Sequence, residues 1–452
     1  MYDIADVKGI KVGILGGGVS GTSLAMLASR LGAVPFLSDT AEISEPFAGR
    51  LREAGIVYEE GGHTEKILGA DLVVAGSGFP PTVGILKDIE KRRIPLIGEL
   101  DFALPHIDAR VIGVTGSNGK TTTTSLLGYL LSAIGLRAEV AGNIGTPIGD
   151  YAATDHACDY IAAELSSFQL HWARDISLAG AIVTNLAPDH IDWHGSYANY
   201  VTAKAKILSF IKDDGFAIVQ ERDTSALQAR GELTCLLSWG SEKGARKIIL
   251  DADSQTAFIE DCELFAFCES RLLGAHNMEN VAMAMSALSL SGQDVTAARR
   301  HLAGYVPPPH RCALVLERDG VRYVNDSKGT NIAATITALS SIEGKKVIIL
   351  GGKGKGEDYA TLIEPLKEFA RSAILIGEEA RVIANALRSG GFDSYSFAAD
   401  MDEAVRLAAS GAEAGDVVLL SPACTSWDMY KNYGERGNHF ESLVRSIVGG
   451  EV

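Results

Sequence analysis

Basic residues are in deficit: 41 Lys and Arg stand against 57 Asp and Glu, a net charge of −16 at pH 7. Nucleic-acid backbones are held by clustered Lys and Arg, so this balance argues against DNA or RNA as a partner. It leaves open a single nucleotide, which a few local donors can hold. Cysteine is sparse: six are scattered at positions 158, 235, 262, 268, 312 and 424, with no CxxC pair. That argues against a zinc site and against a disulfide framework, and for reduced thiols. No apolar run is long enough to span a membrane, and residues 1–11 carry charges of both signs where a secretory signal has an apolar core. No short-period repeat or low-complexity tract is visible. The expectation is a cytoplasmic protein with neither a membrane nor a nucleic acid as partner.

What the chain does have is length and apolar residues. Its 452 residues, 46% hydrophobic and 22% charged, suit about three domains of roughly 150 residues. Strand-like apolar runs alternate with helical patterns, which predicts α/β architecture with parallel sheets. The first section, 1–97, opens on a strand over 11–15 that runs into GGGVSG at 16–21. A helix follows to Leu31 and Gly32 closes it, with strands over 34–37 and 72–75. The second, 98–306, has a strand over 110–115 entering GSNGKT at 116–121. Its next helix carries Leu127, Leu130, Leu131 and Ile134 at helical spacing and ends at Gly135. Further strands are predicted over 160–163, 180–184 and 216–220. Pro307, Pro308 and Pro309 form a stiff connector, since three prolines neither continue a helix nor pair inside a sheet. The third section, 307–452, has strands over 346–350, 373–376 and 417–420 with helices between. The predicted fold class is α/β with three domains: Rossmann-like first, a central P-loop ATPase-type domain with a parallel sheet, and a doubly wound Rossmann-like third.

TGSNGKTT, residues 115–122, is the strongest local signal. Its glycines let backbone N–H groups turn inward around phosphates, and the following helix N-terminus adds partial positive charge. Lys120 can reach the terminal phosphates and the Thr121 hydroxyl can hold Mg²⁺. The match to GxxxxGK[ST] is imperfect, because Val114 stands where the first glycine belongs. Upstream, Gly16, Gly18 and Gly21 fit GxGxxG, and Asp39 ends the next strand, where the acid of an NAD site sits. Alone this suggests a dehydrogenase. The same turn holds any diphosphate, including that of a UDP-sugar, and a second phosphate loop downstream argues against a pure oxidoreductase.

Two segments after the phosphate loop follow strand-like runs: AELSSFQL (163–170) and TNLAPDHIDWHG (184–195). Strand C-terminal ends converge on the ligand crevice of open α/β sheets, so Glu164 and His190 can both face the phosphates. Mg²⁺ takes hard oxygen ligands and keeps waters, so one Glu beside phosphates is enough. His190 is a less usual ligand and has a plain hydrogen-bonding role as its alternative. Glu164 taken alone reads equally as an exposed or capping carboxylate. Lys204, in YVTAKAKIL (200–208), would repel a metal as an ammonium and could snorkel to the surface.

These segments, together with GNIGTP (142–147), AHNMEN (275–280), PHR (309–311), NDSKGTN (325–331) and SPACTSWDMYKNYGERG (421–437), resemble the Mur ligase family over nearly the whole chain, most of all its D-glutamate-adding branch. The resemblance implies a monomeric cytoplasmic, ADP-forming ligase of peptidoglycan precursor synthesis. It would form an amide bond between UDP-N-acetylmuramoyl-L-alanine and D-glutamate through an acyl phosphate. It implies that Gly18, Val19, Ser20, Asp39, Thr40, Ser77, Gly78, Asn143 and His190 meet the UDP substrate. ATP would meet Gly116, Ser117, Asn118, Gly119, Lys120, Thr121, Thr122, Asn277, Asn280, Arg311 and Asp326. D-Glutamate would meet Lys328, Thr330, Lys355, Ser426, Trp427 and Tyr433. It further implies two Mg²⁺ ions, with Thr121 and Glu164 on the first and His190 and a carbamylated Lys204 on the second; Lys120, Glu164, His190 and Lys204 form the catalytic group. Carbamylation has chemical sense, because CO₂ turns the amine into a carboxylate able to bind or orient a metal.

The chain departs from the family pattern at three places. GSGFP (76–80) stands where Ser-Pro-Gly is common, Cys312–Ala313 follow PHR, and Gly329 replaces a usual Ala, a change expected to be benign. Other readings are a folylpolyglutamate synthase or a Mur ligase for another amino acid, a nucleotide-dependent oxidoreductase or sensor built on GGGVSG, and a non-catalytic scaffold. Trp427 and Tyr433 could be core aromatics, and His310 a structural histidine.

Overall fold

A computed structural model describes residues 6–154, 157–228, 233–272 and 274–450; residues 1–5 of the charged leading segment lie outside them. The chain divides into two units. The first holds residues 1–186, 193–271 and 279–305 and contains two sheets.

Its first sheet has β1 (Lys11–Leu15), β2 (Val34–Ser38), β3 (Val57–Glu59), β4 (Leu72–Ala75) and β5 (Leu96–Gly98), in the order β3-β2-β1-β4-β5. Every pair is parallel. The order reverses between β1 and β4, and ligands of such sheets bind beyond the strand C-termini at that switch. GGGVSG leaves β1 there and GSGFP leaves β4. The turn is tight: a Cβ on Gly21 would lie 1.8 Å from the Gly16 carbonyl oxygen, so no other residue fits. Asp39 fastens it from the end of β2, its carboxylate accepting from the Gly17 N–H.

The second sheet runs β14-β13-β12-β11-β10-β9-β6-β8-β7. Its strands are β6 (Arg110–Thr115), β7 (Ala138–Gly142), β8 (Tyr160–Glu164), β9 (Leu178–Val183), β10 (Ile211–Gln220), β11 (Thr234–Trp239), β12 (Lys247–Asp251), β13 (Thr256–Ile259) and β14 (Cys262–Ala266). β6 lies between β8 and β9, and all three are buried almost end to end, which is why they read as continuous apolar runs. Strands β7 to β12 pair in parallel, while β13 and β14 add antiparallel partners at one edge. That edge was not expected from the sequence. Its strands are short and broken by turns rich in charged residues.

The two sheets share one core: Leu24, Leu100, Phe102, Ile148, Tyr151 and Leu170 belong to a single buried cluster. Arg50 pairs with Asp150 at 2.7 Å, and Trp172 Nε1 donates to the Phe79 carbonyl at 3.1 Å.

The second unit holds residues 187–192, 272–278 and 306–452. Its sheet contains β15 (Ala313–Arg318), β16 (Val321–Asn325), β17 (Lys346–Gly351), β18 (Ala370–Ile376), β19 (Tyr395–Phe397) and β20 (Val417–Leu420), ordered β15-β16-β20-β17-β18-β19. Successive β17 side chains serve opposite faces. Ile348 and Leu350 pack with Leu339, Leu366 and Leu387, while Val347 and Ile349 pack with Val405 and Phe440. Helices therefore cover both faces, as a doubly wound domain requires. The β15–β16 hairpin is an antiparallel addition. Asp319 and Gly320 turn it with φ of 52° and 76°, the two positive φ values of a type I′ turn. No helix among the described residues is long and apolar enough to cross a membrane.

The Gly21 contact sets a test. Gly21→Ala should destabilise the first unit by roughly 1–3 kcal/mol or more, read as a lowered melting temperature; an unchanged melt would contradict so close an approach.

Candidate active site

Strand β6 delivers the phosphate loop, and the 14-residue helix Lys120–Ala133 starts directly after it. The loop is pinned from the end of β9. Asn118 N–H donates to Asn185 Oδ1 at 2.9 Å, Asn185 Nδ2 donates back to the Asn118 carbonyl at 3.0 Å, and the Thr184 hydroxyl donates to the same carbonyl. Ser117 N–H donates to the Asn185 carbonyl, and the Ser117 and Tyr200 hydroxyls meet at 2.9 Å. Thr184 and Asn185 stand inside a quoted motif, yet sequence reasoning gave them no role. Lys120 folds back over the loop, its Nζ donating to the carbonyls of Gly116 and Ser117 at 2.9 Å each. Thr122 is buried beside it.

Glu164 ends β8 and is 2% exposed, so it is neither an exposed nor a surface-capping carboxylate. It accepts from Thr121 Oγ1 at 2.6 Å and from Asn143 Nδ2 at 2.7 Å. A carboxylate and a hydroxyl thus meet at the N-terminus of the phosphate helix, a hard-oxygen pair that suits Mg²⁺. Among the described residues no three His, Cys, Asp or Glu side chains converge on a metal position. An ion here would complete its shell with phosphate oxygens and water.

Lys204 is also 2% exposed and does not snorkel. It lies in the helix Tyr197–Ala205; its Nζ donates to the Gly116 carbonyl at 2.6 Å, lies 3.4 Å from Thr115 Oγ1 and sits 4.8 Å from the Tyr200 ring centroid. Asn280 packs against the loop as well: its Oδ1 is 3.3 Å from Thr123 Oγ1, and a Cβ on Gly119 would come within 2.3 Å of it. The unassigned His194 is buried, with Nε2 3.0 Å from Ser167 Oγ and its ring stacked on Phe168.

At the first sheet's switch point, the Ser20 and Ser77 hydroxyls are 3.0 Å apart. Gly18, Val19, Thr40 and Gly78 are exposed beside them. Asp39 is engaged with the N–H groups of Gly17 and Ala41.

His190 belongs to the second unit, with φ of 52°. Its N–H donates to Asp189 Oδ1 at 3.0 Å, and its Nε2 is 3.5 Å from Oδ2. Asp189 also lies 3.6 Å from Lys355 Nζ and 3.4 Å from Asn331 Nδ2. An unassigned aspartate therefore gathers two of the expected site residues. Glu357 stands nearby: burial pushes its pKa up to about 7, Lys355 pulls it down and Asp189 pushes it up again.

Lys328 places its ammonium 3.9 Å from the Tyr433 ring centroid. Tyr433 is 38% and Trp427 68% exposed, so neither is a core aromatic. Thr330 N–H donates to the Lys328 carbonyl, and buried Ser426 accepts on its carbonyl from Met429 and Tyr430. Buried Arg436 ties the two loops together, donating to the Ser327 hydroxyl and carbonyl and to the Cys424 and Thr425 carbonyls. His310 is buried with Nδ1 2.8 Å from Asn325 Nδ2, which fits the structural reading. Asn277 is buried in the first turn of the helix Ala275–Leu290.

Asp326 accepts from Ser421 Oγ at 2.7 Å and from Cys312 N–H at 3.3 Å. Burial raises its pKa to about 6, opposed by Ser421 and by Arg311. A Cβ at the neighbouring Gly329 would lie 2.5 Å from Asp326 Oδ2.

Three family models match the chain in order: a MurD N-terminal domain over residues 11–85, a Mur ligase middle domain over 114–288 and a Mur ligase glutamate ligase domain over 310–424. A UDP-N-acetylmuramoylalanine–D-glutamate ligase of Pelotomaculum thermopropionicum is 36% identical, covering 97% of this chain and 98% of that protein. The chain belongs to the Mur ligase family. A relative of the same description from Chlorobaculum tepidum is 35% identical over 98% of this Mur ligase. Its fold is also that of MurC from Thermotoga maritima, at TM-score 0.60, 19% identity and coverage of 97% of this chain and 100% of that one. MurF from the same organism, solved with ADP, matches at TM-score 0.61 and 16% identity, covering 99% and 100%.

Asp326 yields a pH test. Its folded pKa lies above its ordinary value of 3.8, so the folded state holds this proton more tightly. Stability from this group is complete below about pH 4 and is lost as pH rises through about 6, a fall of up to about 3 kcal/mol. Urea unfolding between pH 4.5 and 7.5 should show Asp326→Asn gaining on the wild type by that order; parallel curves would refute it.

Proposed function

We propose that this Mur ligase joins D-glutamate to UDP-N-acetylmuramoyl-L-alanine by an amide bond, converting ATP to ADP and phosphate in cytoplasmic peptidoglycan precursor synthesis. The observation that carries the reading is the convergence of Lys120, Thr121, Glu164 and buried Lys204 on one phosphate loop.

A carboxylate does not react with an amine at neutral pH. The substrate's alanine carboxylate attacks the γ-phosphorus of ATP, ADP leaves, and an acyl phosphate forms. The amine of D-glutamate then attacks the acyl carbon, a tetrahedral intermediate forms, and phosphate departs as the amide closes. Phosphoryl transfer is mostly positioning and charge neutralisation. The N–H groups of residues 116–122 cradle the phosphates and Lys120 swings from its own loop carbonyls onto them. Magnesium, when bound, neutralises phosphate charge; Thr121 and Glu164 would hold one ion, His190 and a carbamylated Lys204 a second. The buried Lys204 ammonium first gives up one proton; adding CO₂ to the resulting amine releases a second and leaves an anionic carbamate.

The three sections divide the work. Residues 1–97 take the UDP group through Gly18, Val19, Ser20, Asp39, Thr40, Ser77 and Gly78, with Asn143 and His190 toward the sugar and peptide end. Residues 98–306 hold ATP, with Asn277, Asn280, Arg311 and Asp326 on the nucleoside side and phosphates. Residues 307–452 take D-glutamate, whose two carboxylates suit Lys328, Lys355, Thr330 and Ser426, with Trp427 and Tyr433 as walls. The working form is a monomer.

Mass spectrometry of products from UDP-N-acetylmuramoyl-L-alanine, ATP and competing D- and L-amino acids tests this directly. A D-glutamyl adduct with equimolar ADP is expected; phosphate release only with a pteroylglutamate would transfer the chain to another ligase. Lys204→Ala should lower kcat roughly 100-fold and recover in part with added short carboxylic acids. No recovery, with no carbamate carbon signal by NMR under ¹³C-bicarbonate, would remove the modification.

A further inference from the structure

Glu99 has had no role so far. It follows directly on β5, next to β4, and is 2% exposed. Its carboxyl group faces the Ser20 and Ser77 hydroxyls and the Gln169 side chain, and Oε2 has no hydrogen-bond partner. Ser20 follows β1 and Ser77 follows β4, the two strands between which the sheet order reverses. Both serines are partly exposed, whereas Glu99 lies behind them. Gln169 Oε1 is already engaged as an acceptor from Ser166 N–H and Oγ, so its amide N–H₂ is what remains for Glu99.

We propose that Glu99 is a positioning residue for the diphosphate of the UDP substrate, acting through the Ser20–Ser77 hydroxyl pair. This rests on the first section being the UDP site. Burial pushes the Glu99 carboxyl above its ordinary range, against the hydrogen bonds with Ser20, Gln169 and Ser77 that pull it down, and the fully buried place behind the serine pair suits a neutral acid. A neutral acid has one O–H to give. Donated to a serine oxygen, it frees a serine hydroxyl proton to point outward at an anionic ligand. An ionised carboxylate would instead draw both hydroxyl protons inward and set a negative charge behind the diphosphate. Glutamine at this place keeps an N–H donor without the ionisation, while leucine supplies neither donor nor acceptor.

The test uses the full chain with Glu99→Leu, Glu99→Gln and the double variant Ser20→Ala/Ser77→Ala, read by steady-state kinetics and by calorimetry with UDP as probe. Glu99→Leu should raise KM for the UDP substrate about 10-fold or more, a loss of one to two good hydrogen bonds. Its kcat and KM for ATP should stay at wild-type values, and Glu99→Gln should stay within about 3-fold of wild type throughout. Should Glu99→Leu not fold, the double serine variant carries the test, with the same selective rise in KM expected. Wild-type KM in either, equal losses in kcat and both KM values, or a Glu99→Gln variant as impaired as Glu99→Leu, would overturn the proposal. A wild-type chain that does not bind UDP at all would instead overturn the underlying assignment of the first section.

Discussion

Glu164 accepts from the hydroxyl of Thr121 and the amide of Asn143 while almost wholly buried, and those two bonds tie three chain segments to one point. A buried carboxylate without partners costs several kcal/mol, so the end of β8, the start of the phosphate helix and the loop after β7 are each constrained to supply or meet it. Their arrangement follows from sheet order. With β8 paired in parallel beside β6, everything that leaves their C-terminal ends arrives on the same side. The chemistry assigned to this chain depends on that meeting more than on any single residue, because a phosphoryl group is transferred by charges already in place.

The second unit is organised by a different device. Arg436 is buried and spends its donors on carbonyls and a hydroxyl of two loops, 325–331 and 421–426. Rigid loops let exposed groups stay exposed: Trp427 and Tyr433 can face outward, with Lys328 half-buried beside Tyr433, because the backbone beneath them is held. Asp189 does the same on a smaller scale for His190 and Lys355.

Residues with a local signature were legible in the sequence. The glycine turn, the phosphate loop and the strands β1, β4, β6, β8 and β20 read correctly because each strand is a buried apolar run, and β1, β4 and β6 leave through a glycine. The β13–β14 edge did not, since strands of four and five residues are too short to show a clear run or alternation. The β15–β16 hairpin was within reach, because Asp-Gly between two apolar stretches is a hairpin signal. Supporting residues were harder. Thr184, Asn185, Glu99 and Arg436 act through partners far away in sequence, as Asp189 does in meeting Asn331 and Lys355, and no local spacing encodes such a pairing. Burial was the other blind spot: Glu164 and Lys204 look like ordinary surface charges until the sheet closes over them.

The single apolar cluster running from Leu24 and Leu100 through Ile148 to Leu170 has a bearing on how this chain can be divided. A fragment ending near residue 97 would leave the partners of that cluster behind and carry a bare oily flank, so the first sheet is not a portable part. Its sequence can drift only in step with the faces of the second sheet that it rests on.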